Sequence, residues 1–293
     1  MELIKKFSPL ADRIFSGGEL RPLASGFRFT EGPVWDIKED CLYFTDFQDH
    51  LILKWTEKDG QTLYRDHANR AIGLSMDADG RIVAAESFAH GIAYTDSEKS
   101  VLITGTFEGR QLNSPNDVVL ARNGDIFFTD PYSAMMGGPR TIEFNGIFAV
   151  TPGGETRLVD DSFSRPNGIA LSPDEAILYV NDSDKQQIIA FAMKKDGSVS
   201  KTGVFAAVDP AYGPGVVDGM KVDTEGNVYV TGPGGIWVIA PDGSPAAILY
   251  VSEQVGNFCF GGRDSKTLFI TASKSVYALP VGIPGIVPYR KGA

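Results

Sequence analysis

The chain has 293 residues, of which 43% are hydrophobic and 22% are charged, and its formal net charge at pH 7 is −10. An acidic chain lacks the basic surface that supplies most of the affinity for nucleic acids, so we predict no nucleic-acid partner and retain small molecules and metal cations as candidate ligands. Because the sequence has no long apolar run and no secretory signal pattern at its N-terminus, we predict a cytoplasmic protein with no membrane partner.

A motif of two short strands joined by a polar turn recurs six times along the chain. Each copy has an apolar strand, a turn rich in Asp and Gly, and a second strand rich in β-branched and aromatic residues. The copies begin at Glu31, Ile72, Asn116, Asn167, Asp218 and Asn257. Their spacing of 41, 44, 51, 51 and 39 residues is typical of four-stranded propeller blades.

Further strand-like segments complete these blades. Third strands are predicted at HLILKW, GIAYTD, GIFAVTP, QIIAFAM, GIWVIAP and SVYALP, and fourth strands at TLYRD, SVLITG, TRLVDD, KTGVFAAV and PAAILYV. The sixth blade runs into a Pro-rich segment that disfavours a ladder strand, so we expect residues 19–25 to supply its fourth strand. Pairing of this N-terminal strand with the last blade closes the ring and covers its edges.

The sequence therefore predicts an all-β protein, a six-bladed β-propeller with four-stranded blades. We expect residues 1–293 to form a single domain, with the first twenty residues as an N-terminal extension outside the ring. The two cysteines, Cys41 and Cys259, lie in apolar strand-like segments and are expected to be free thiols. The oligomeric state is left open.

In a propeller the innermost strand of each blade lines the central channel, so the residues that start the six copies meet at one mouth of that channel. Five of the six are polar, and Glu31 and Asp218 are carboxylates. Two carboxylates about 4 Å apart would repel by roughly 4 kcal/mol at an effective dielectric constant of 20, so we expect a cation between them. Carboxylate and amide oxygens suit a hard divalent ion. For any single position, the preference of Asn and Asp for turns is a purely structural alternative.

Five segments carry a family resemblance. In chain order EGPVW, NSPNDVV, RPNGIALS, VVDGMKVD and CFGG with LFITA resemble the gluconolactonase / senescence-marker-protein / luciferin-regenerating-enzyme family, from about Leu20 onward. The resemblance implies a calcium-dependent, lactonase-type propeller that binds one divalent cation through Glu31, Asn167 and Asp218. It also implies that Asp218 is the catalytic base and that Asn116 contacts the substrate or a metal-bound water. Calcium is the expected metal, with Mg, Mn, Zn and Fe as alternatives.

The chain departs from the family pattern in places that affect the substrate. Ile72 stands where many bacterial members have Asn, and Met135 and Met136 lie in a loop expected to border the site, which favours a substrate less polar than a sugar lactone. Asn113 lies near the place where the animal enzymes carry an Arg, and Tyr132 is a bulky, amphipathic residue next to the variable loop. We take both as candidate substrate contacts.

The resemblance implies hydrolysis of a lactone, either a sugar lactone such as an aldonolactone or a less polar one. The cation would polarise the lactone carbonyl and activate a water molecule, while Asp218 takes the proton of that water. Two alternatives remain open. The first is hydrolysis of a phosphotriester or another ester at the same cation. The second is a propeller that binds calcium without catalysis, because fold alone does not decide function.

Overall fold

The computed structural model of the protein describes residues 3–133, 140–194 and 197–288. Within them, six small antiparallel sheets of at least four strands follow one another along the chain and form a six-bladed β-propeller, as predicted. Both cysteines are buried free thiols, also as predicted. Among the residues that the structure describes, no helix has the length and apolarity needed to cross a membrane.

The N-terminal segment and the first two blades contain the following elements. The segment before the first blade consists of β1 (Ile4–Lys6), α1 (Leu10–Ile14) and β2 (Arg21–Ser25). Blade 1 consists of β3 (Thr30–Asp36), β4 (Cys41–Asp46), β5 (Leu51–Thr56) and β6 (Gly60–Arg65). Blade 2 consists of β7 (Ala71–Met76), β8 (Ile82–Glu86), β9 (Gly91–Thr95) and β10 (Ser100–Thr104). A small hairpin of β11 (Thr106–Phe107) and β12 (Arg110–Gln111) follows.

The remaining four blades complete the ring. Blade 3 consists of β13 (Val118–Leu120), β14 (Ile126–Asp130), β15 (Asn145–Val150) and β16 (Thr156–Phe163). Blade 4 consists of β17 (Pro166–Leu171), β18 (Ile177–Asp182), β19 (Gln187–Met193) and β20 (Val199–Ala207), and a 3-10 turn follows at Pro210–Tyr212. Blade 5 consists of β21 (Met220–Val222), β22 (Val228–Gly232), β23 (Gly235–Ile239) and β24 (Pro245–Tyr250). Blade 6 consists of β25 (Val255–Gly261), β26 (Thr267–Ala272) and β27 (Ser275–Pro280), completed by β2.

The hydrophobic core lies between the blades rather than at one centre. One buried cluster joins blades 4 and 5, where Tyr179 and Ile188 pack with Met220, Val230 and Trp237. Similar clusters fill the other gaps between blades. Because the second strands are covered on both faces by neighbouring blades, they read as continuous apolar runs, such as the fully buried VYVTG of β22.

The N-terminal strand closes the ring, as the sequence predicted. Strand β2 pairs antiparallel with β27, with Arg21 opposite Ala278 and Ser25 opposite Ser275. Beside this junction, Trp35 of blade 1 stacks on Phe269 of blade 6, with ring centroids 4.7 Å apart and the planes inclined by 9°. Gly261 makes this stack possible, since a Cβ at that position would lie 2.5 Å from Cγ of the indole. The first and last blades are therefore joined by both backbone pairing and aromatic packing.

The extension that precedes β2 is also part of the sheet structure. Strand β1 pairs antiparallel with β24 as a fifth strand of blade 5, with Ile4 opposite Leu249. Helix α1 buries Ile14 in the cluster between blades 5 and 6, and the backbone carbonyl of Ile14 accepts a hydrogen bond of 2.7 Å from Gly282 N. The sequence predicted an extension outside the ring but not its pairing with blade 5.

We expect Trp35→Ala to lower the free energy of unfolding by about 3 to 5 kcal/mol, because it removes a buried aromatic side chain from a close-packed junction. Urea denaturation monitored by circular dichroism measures this change. The matched control is Leu63→Ala, whose side chain is 59% exposed, compared with 5% for Trp35. The control should change stability by no more than about 0.5 kcal/mol. Equal effects of the two substitutions would contradict the assignment of Trp35 to the closing junction.

Candidate metal centre and active site

Strand register shows which residue of each blade lies at the channel mouth. Val118 pairs with Phe128 in blade 3, and its counterparts Ile169, Met220 and Phe258 pair with Val180, Val230 and Ile270 in blades 4 to 6. The residue two positions before each of these inner-strand residues is the mouth residue. The same register holds in blades 1 and 2. The mouth residues are Glu31, Ile72, Asn116, Asn167, Asp218 and Gly256.

This register corrects one expectation from the sequence. Gly256, and not Asn257, is the mouth residue of blade 6, so Asn257 lies one step deeper in the channel, in the position that Asp117 occupies in blade 3. The pairing of β25 with β26 shifts register between Val255 and Asn257. Equivalent shifts occur in blades 1, 2 and 4, and alignment of the copies by their polar residues places Asn257 at the mouth only because Gly256 has no side chain.

Hydrogen bonds between neighbouring blades fix the backbone of the mouth residues. In each case a donor from one blade binds the backbone carbonyl of the mouth residue of the next blade. The bonds run from Thr45 Oγ1 to Ile72 (3.1 Å), Gly73 N to Asn116 (2.8 Å), Thr129 Oγ1 to Asn167 (2.8 Å), Asn181 Nδ2 to Asp218 (2.6 Å) and Gly219 N to Gly256 (2.9 Å). The series links all six blades.

Glycine follows the mouth residue in four blades because the next blade is in close contact there. A Cβ on Gly32 would lie 1.8 Å from the carbonyl oxygen of Ile72, and a Cβ on Gly168 would lie 2.1 Å from that of Asp218. Gly32 also has a φ of +48°, which disfavours other residues. The repeated Gly after the mouth residue is therefore a packing requirement of the mouth.

Two of the three predicted ligands present oxygens that are held in place. Glu31 is only 3% exposed, and its Oε2 accepts a hydrogen bond of 2.8 Å from Gly32 N. Asn167 Nδ2 donates to Ser183 Oγ at 3.1 Å, and Ser183 Oγ in turn donates to Val217 O at 2.6 Å. The Oδ1 of Asn167 is then shielded from solvent and accepts no hydrogen bond from the residues that the structure describes. A buried amide oxygen in this state is a ready ligand for a cation.

The carboxylates at the mouth have strongly perturbed pKa values. The pKa of Glu31 is raised to about 7, mainly by burial and to a smaller extent by the charge of Asp117, whereas the hydrogen bond from the Gly32 amide acts to lower it. The pKa of Asp218 is raised well above its ordinary value by removal from water and then by the charges of Glu31 and Asp117. A hydrogen bond from Asn167 acts on Asp218 in the opposite direction. The structure therefore brings Glu31, Asn167 and Asp218 together around one acidic point.

A second polar layer, which the sequence analysis did not identify, lies directly beneath the mouth. Lys221 Nζ donates to Asn257 Oδ1 at 3.1 Å and lies 3.7 Å from Asp117 Oδ2. Burial raises the pKa of Asp117, and Lys221 is the main influence that opposes this rise. The sequence does carry a signal of this layer. The residue after the mouth residue is Gly in four blades, but it is Asp117 in blade 3 and Asn257 in blade 6.

The predicted substrate contacts differ in their surroundings. Asn116 is partly exposed at the mouth. Asn113 is only 4% exposed, and its Nδ2 donates to the carbonyls of Asp130 (3.2 Å) and Phe144 (2.9 Å), so contact with a substrate would have to involve its Oδ1. Tyr132 is 36% exposed, with the Arg140 guanidinium 5.2 Å from its ring centroid. Met135 and Met136 lie outside the described residues.

An aromatic wall borders the site next to Glu31. A Cβ on Gly256 would lie 2.4 Å from Glu31 Oε1 and 3.2 Å from Phe29 Cε1, so the Phe29 ring lies beside the carboxylate. The ring of Phe29 contacts Phe47 at 5.4 Å between centroids. The guanidinium of Arg70 lies between two rings, 5.5 Å from that of Phe47 and 5.1 Å from that of Phe88. These residues come from loops before and after strands, where the repeat pattern makes no prediction.

The donor set at the mouth fits a hard divalent cation. Within residues 3–133, 140–194 and 197–288, no three His, Cys, Asp or Glu side chains are grouped closely enough to hold a metal ion by themselves. A site at the mouth therefore requires the amide of Asn167 in addition to the carboxylates of Glu31 and Asp218. The solvent-shielded Oδ1 of Asn167 and the two mutually repelling carboxylates supply this mixed oxygen set.

The chain is thus a six-bladed β-propeller with acidic and amide oxygens at one mouth of its channel. Residues 29–274 match the model of the SMP-30/Gluconolactonase/LRE-like region. The chain belongs to this family, which confirms the resemblance seen in the sequence.

Individual relatives agree with this assignment. The chain is 31% identical to the gluconolactonase of Zymomonas mobilis, over 93% of this chain and 84% of that protein. The solved structure of XC5397, a gluconolactonase from Xanthomonas campestris, is 27% identical, covers 96% of this chain and 95% of that chain, and superposes with a TM-score of 0.88. Regucalcin from Agrobacterium tumefaciens, a calcium-binding protein, shares the fold with a TM-score of 0.77 at 18% identity, over 94% of this chain and 98% of that chain.

We expect the protein without divalent cations to become more stable as the pH falls from about 7.5 to about 5. A carboxyl group whose pKa is higher in the folded than in the unfolded chain binds its proton more tightly in the folded state, so acidification stabilises the fold between the two values. For Glu31 the folded value is about 7, compared with 4.5 ordinarily. We expect a gain of about 1 to 3 kcal/mol.

Urea unfolding at a series of pH values in the presence of a chelator measures this effect. The control is Glu31→Gln, which removes one titrating group and should reduce the gain, leaving the part that comes from the other buried carboxyl groups, Asp117, Asp130 and Asp218. A loss of stability on acidification over the same interval would show that Glu31 is not held in the folded chain as an unfavourable buried charge.

Proposed function

We propose that this lactonase-family enzyme hydrolyses a lactone at a divalent cation, calcium in the first place, held by Glu31, Asn167 and Asp218. The observation that carries the proposal is the solvent-shielded Oδ1 of Asn167, which accepts no hydrogen bond from the described residues although it lies beside two acidic side chains. The gluconolactonase relatives support the reaction, and the calcium-binding neighbour supports the metal.

The chain's own residues account for most steps of such a reaction. A cation bound at the mouth would supply Lewis acidity toward the lactone carbonyl. Asp218, whose pKa is raised by burial and by Glu31, is a stronger base than an ordinary carboxylate and would take a proton from the attacking water. The water oxygen bonds to the carbonyl carbon, the bond from that carbon to the ring oxygen breaks, and Asp218 returns the proton to the ring oxygen. The product is an open-chain hydroxy acid.

Other mouth residues would orient the substrate. Asn116 is the partly exposed amide between Ile72 and Asn167 in the ring of mouth residues, where it can hold the carbonyl or the attacking water. Ile72, which is buried, and the ring of Phe29 beside Glu31 present apolar surface on the neighbouring side. This division supports a lactone with one apolar face, which includes both aldonolactones and less polar lactones.

The proposal predicts turnover of a lactone that depends on a divalent cation. A panel of aldonolactones and alkyl-substituted lactones, assayed with calcium, magnesium, manganese or zinc after chelation, should show hydrolysis restored by at least one metal. A phosphotriester assayed in parallel addresses the alternative ester chemistry. Failure of every lactone with every metal, in a protein shown to bind calcium, would favour the binding role without catalysis.

Asp218→Asn should lower kcat by at least about 100-fold, because an amide cannot accept the proton of the attacking water. The amide keeps an oxygen ligand, so the protein should retain part of its bound metal, which elemental analysis measures. The matched control is Asp242→Asn, at an exposed aspartate in a turn far from the channel, which should leave kcat unchanged. Full activity of a metal-loaded Asp218→Asn variant would eliminate Asp218 as the base.

A further inference from the structure

We propose that Lys221 is a fixed cation of the metal centre, which weakens the binding of the divalent ion and is balanced by Asp117 directly beneath the ligands. The inference rests on the proposed metal centre, to which it assigns two further residues that touch neither the substrate nor the metal. Both would act through the ligands and through the charge of the channel, so they are positioning residues.

The layer formed by Asp117, Lys221 and Asn257 is built into the inner strands. Lys221 Nζ donates to Asn257 Oδ1 at 3.1 Å and to Met220 O at 3.0 Å, and it lies 3.7 Å from Asp117 Oδ2. The other oxygen of Asp117 accepts a hydrogen bond of 2.9 Å from Val118 N. Asp117 Oδ2 is shielded from solvent and accepts no hydrogen bond from the described residues. Lys221, at 3.7 Å, is the positive charge that faces it.

The position of this layer ties it to the ligands above. Asp117 and Asn257 come from blades 3 and 6, which face each other across the ring, and both occupy the position directly after a mouth residue. Lys221 follows Asp218 by three residues on the inner strand of blade 5. The pKa of Glu31 responds to all three side chains, because Asp117 raises it while Asn257 and Lys221 lower it.

The charges of the two layers sum to the value that a divalent ion neutralises. Glu31, Asp117 and Asp218 carry three negative charges when ionised, and Lys221 carries one positive charge. Without Lys221 the channel would hold three carboxylates against two positive charges of the metal. Because Coulomb energy is proportional to the charge of the bound ion, the repulsion from Lys221 is larger for a trivalent ion than for a divalent one.

This charge dependence separates the proposal from a purely structural role. If Lys221 only filled space and satisfied Asp117, its removal would loosen the layer and weaken the binding of every ion. If its charge acts on the metal, its removal strengthens binding, and the effect on the logarithm of the dissociation constant grows in the ratio of the ionic charges, about 3 to 2.

The experiment is a calorimetric titration of the chelator-treated protein with Ca²⁺ and separately with Tb³⁺ at pH 8. We expect Lys221→Met to bind Ca²⁺ about tenfold more tightly and Tb³⁺ about 30-fold more tightly than the original chain. Asp117→Asn is nearly isosteric and removes a negative charge, so it should weaken the binding of Ca²⁺ about tenfold and that of Tb³⁺ about 30-fold. The double variant should return close to the original affinities, since the pair of substitutions leaves the net charge unchanged.

Unchanged or weaker binding of Ca²⁺ and Tb³⁺ by Lys221→Met would overturn the inference, whatever the effect of Asp117→Asn. Lys221→Gln keeps a polar group next to Asp117 and Asn257 and gives the same comparison if the Met variant fails to fold, which circular dichroism checks. Glu31→Gln distinguishes the two levels of the proposal. If it leaves Ca²⁺ and Tb³⁺ binding intact, the metal centre itself is wrong. If it abolishes binding while the Lys221 variants behave like the original chain, only the role of Lys221 is wrong.

Discussion

The close contact between neighbouring inner strands at the channel mouth is the constraint on which the site depends. Gly32 and Gly168 lack the Cβ that would collide with the carbonyls of Ile72 and Asp218. The short separation lets side-chain and backbone donors of one blade bind the mouth carbonyl of the next, for example Thr129 to Asn167 and Asn181 to Asp218. Side chains that are far apart in the sequence are thereby held on a rigid ring, which is what a preorganised site requires.

The same compactness concentrates negative charge in a place with little water. Burial raises the pKa values of Glu31, Asp117 and Asp218, so the folded chain without a counter-ion carries an electrostatic cost at neutral pH. Lys221 offsets part of this cost from below, and the proposed divalent ion would offset the rest from the mouth. Stability and ligand binding are linked in such a site, because an ion that binds only the folded chain also stabilises it.

Much of the fold followed from the sequence because the blade repeat is long and strongly patterned. Strand order, closure by residues 19–25 and the neighbourhood of Glu31, Asn167 and Asp218 all derive from that period and from the family segments. The displacement of Asn257 was missed because the copies were aligned by their polar residues, whereas the mouth residue of blade 6, Gly256, has no side chain.

Side chains whose importance depends on contact across the ring were also missed. In the sequence, Lys221 has the pattern of an ordinary polar residue of a strand, and only the structure shows that it lies next to Asp117. The aromatic wall was missed because Phe29 and Arg70 belong to connecting segments. The roles of the site residues, the single domain and the cytoplasmic location stay predictions.

The pairing of β2 with β27 has a consequence for how the molecule is made. The two partners, near opposite ends of the polypeptide, have more than two hundred residues between them, so their contact carries a large loop-closure entropy and a high contact order. During synthesis, blades 1 to 5 emerge from the ribosome before β27 exists, and the early strand must wait with an unpaired edge. Closure of the ring is therefore expected only after β27 has been synthesised, with the last step of folding governed by the encounter of β2 and β27.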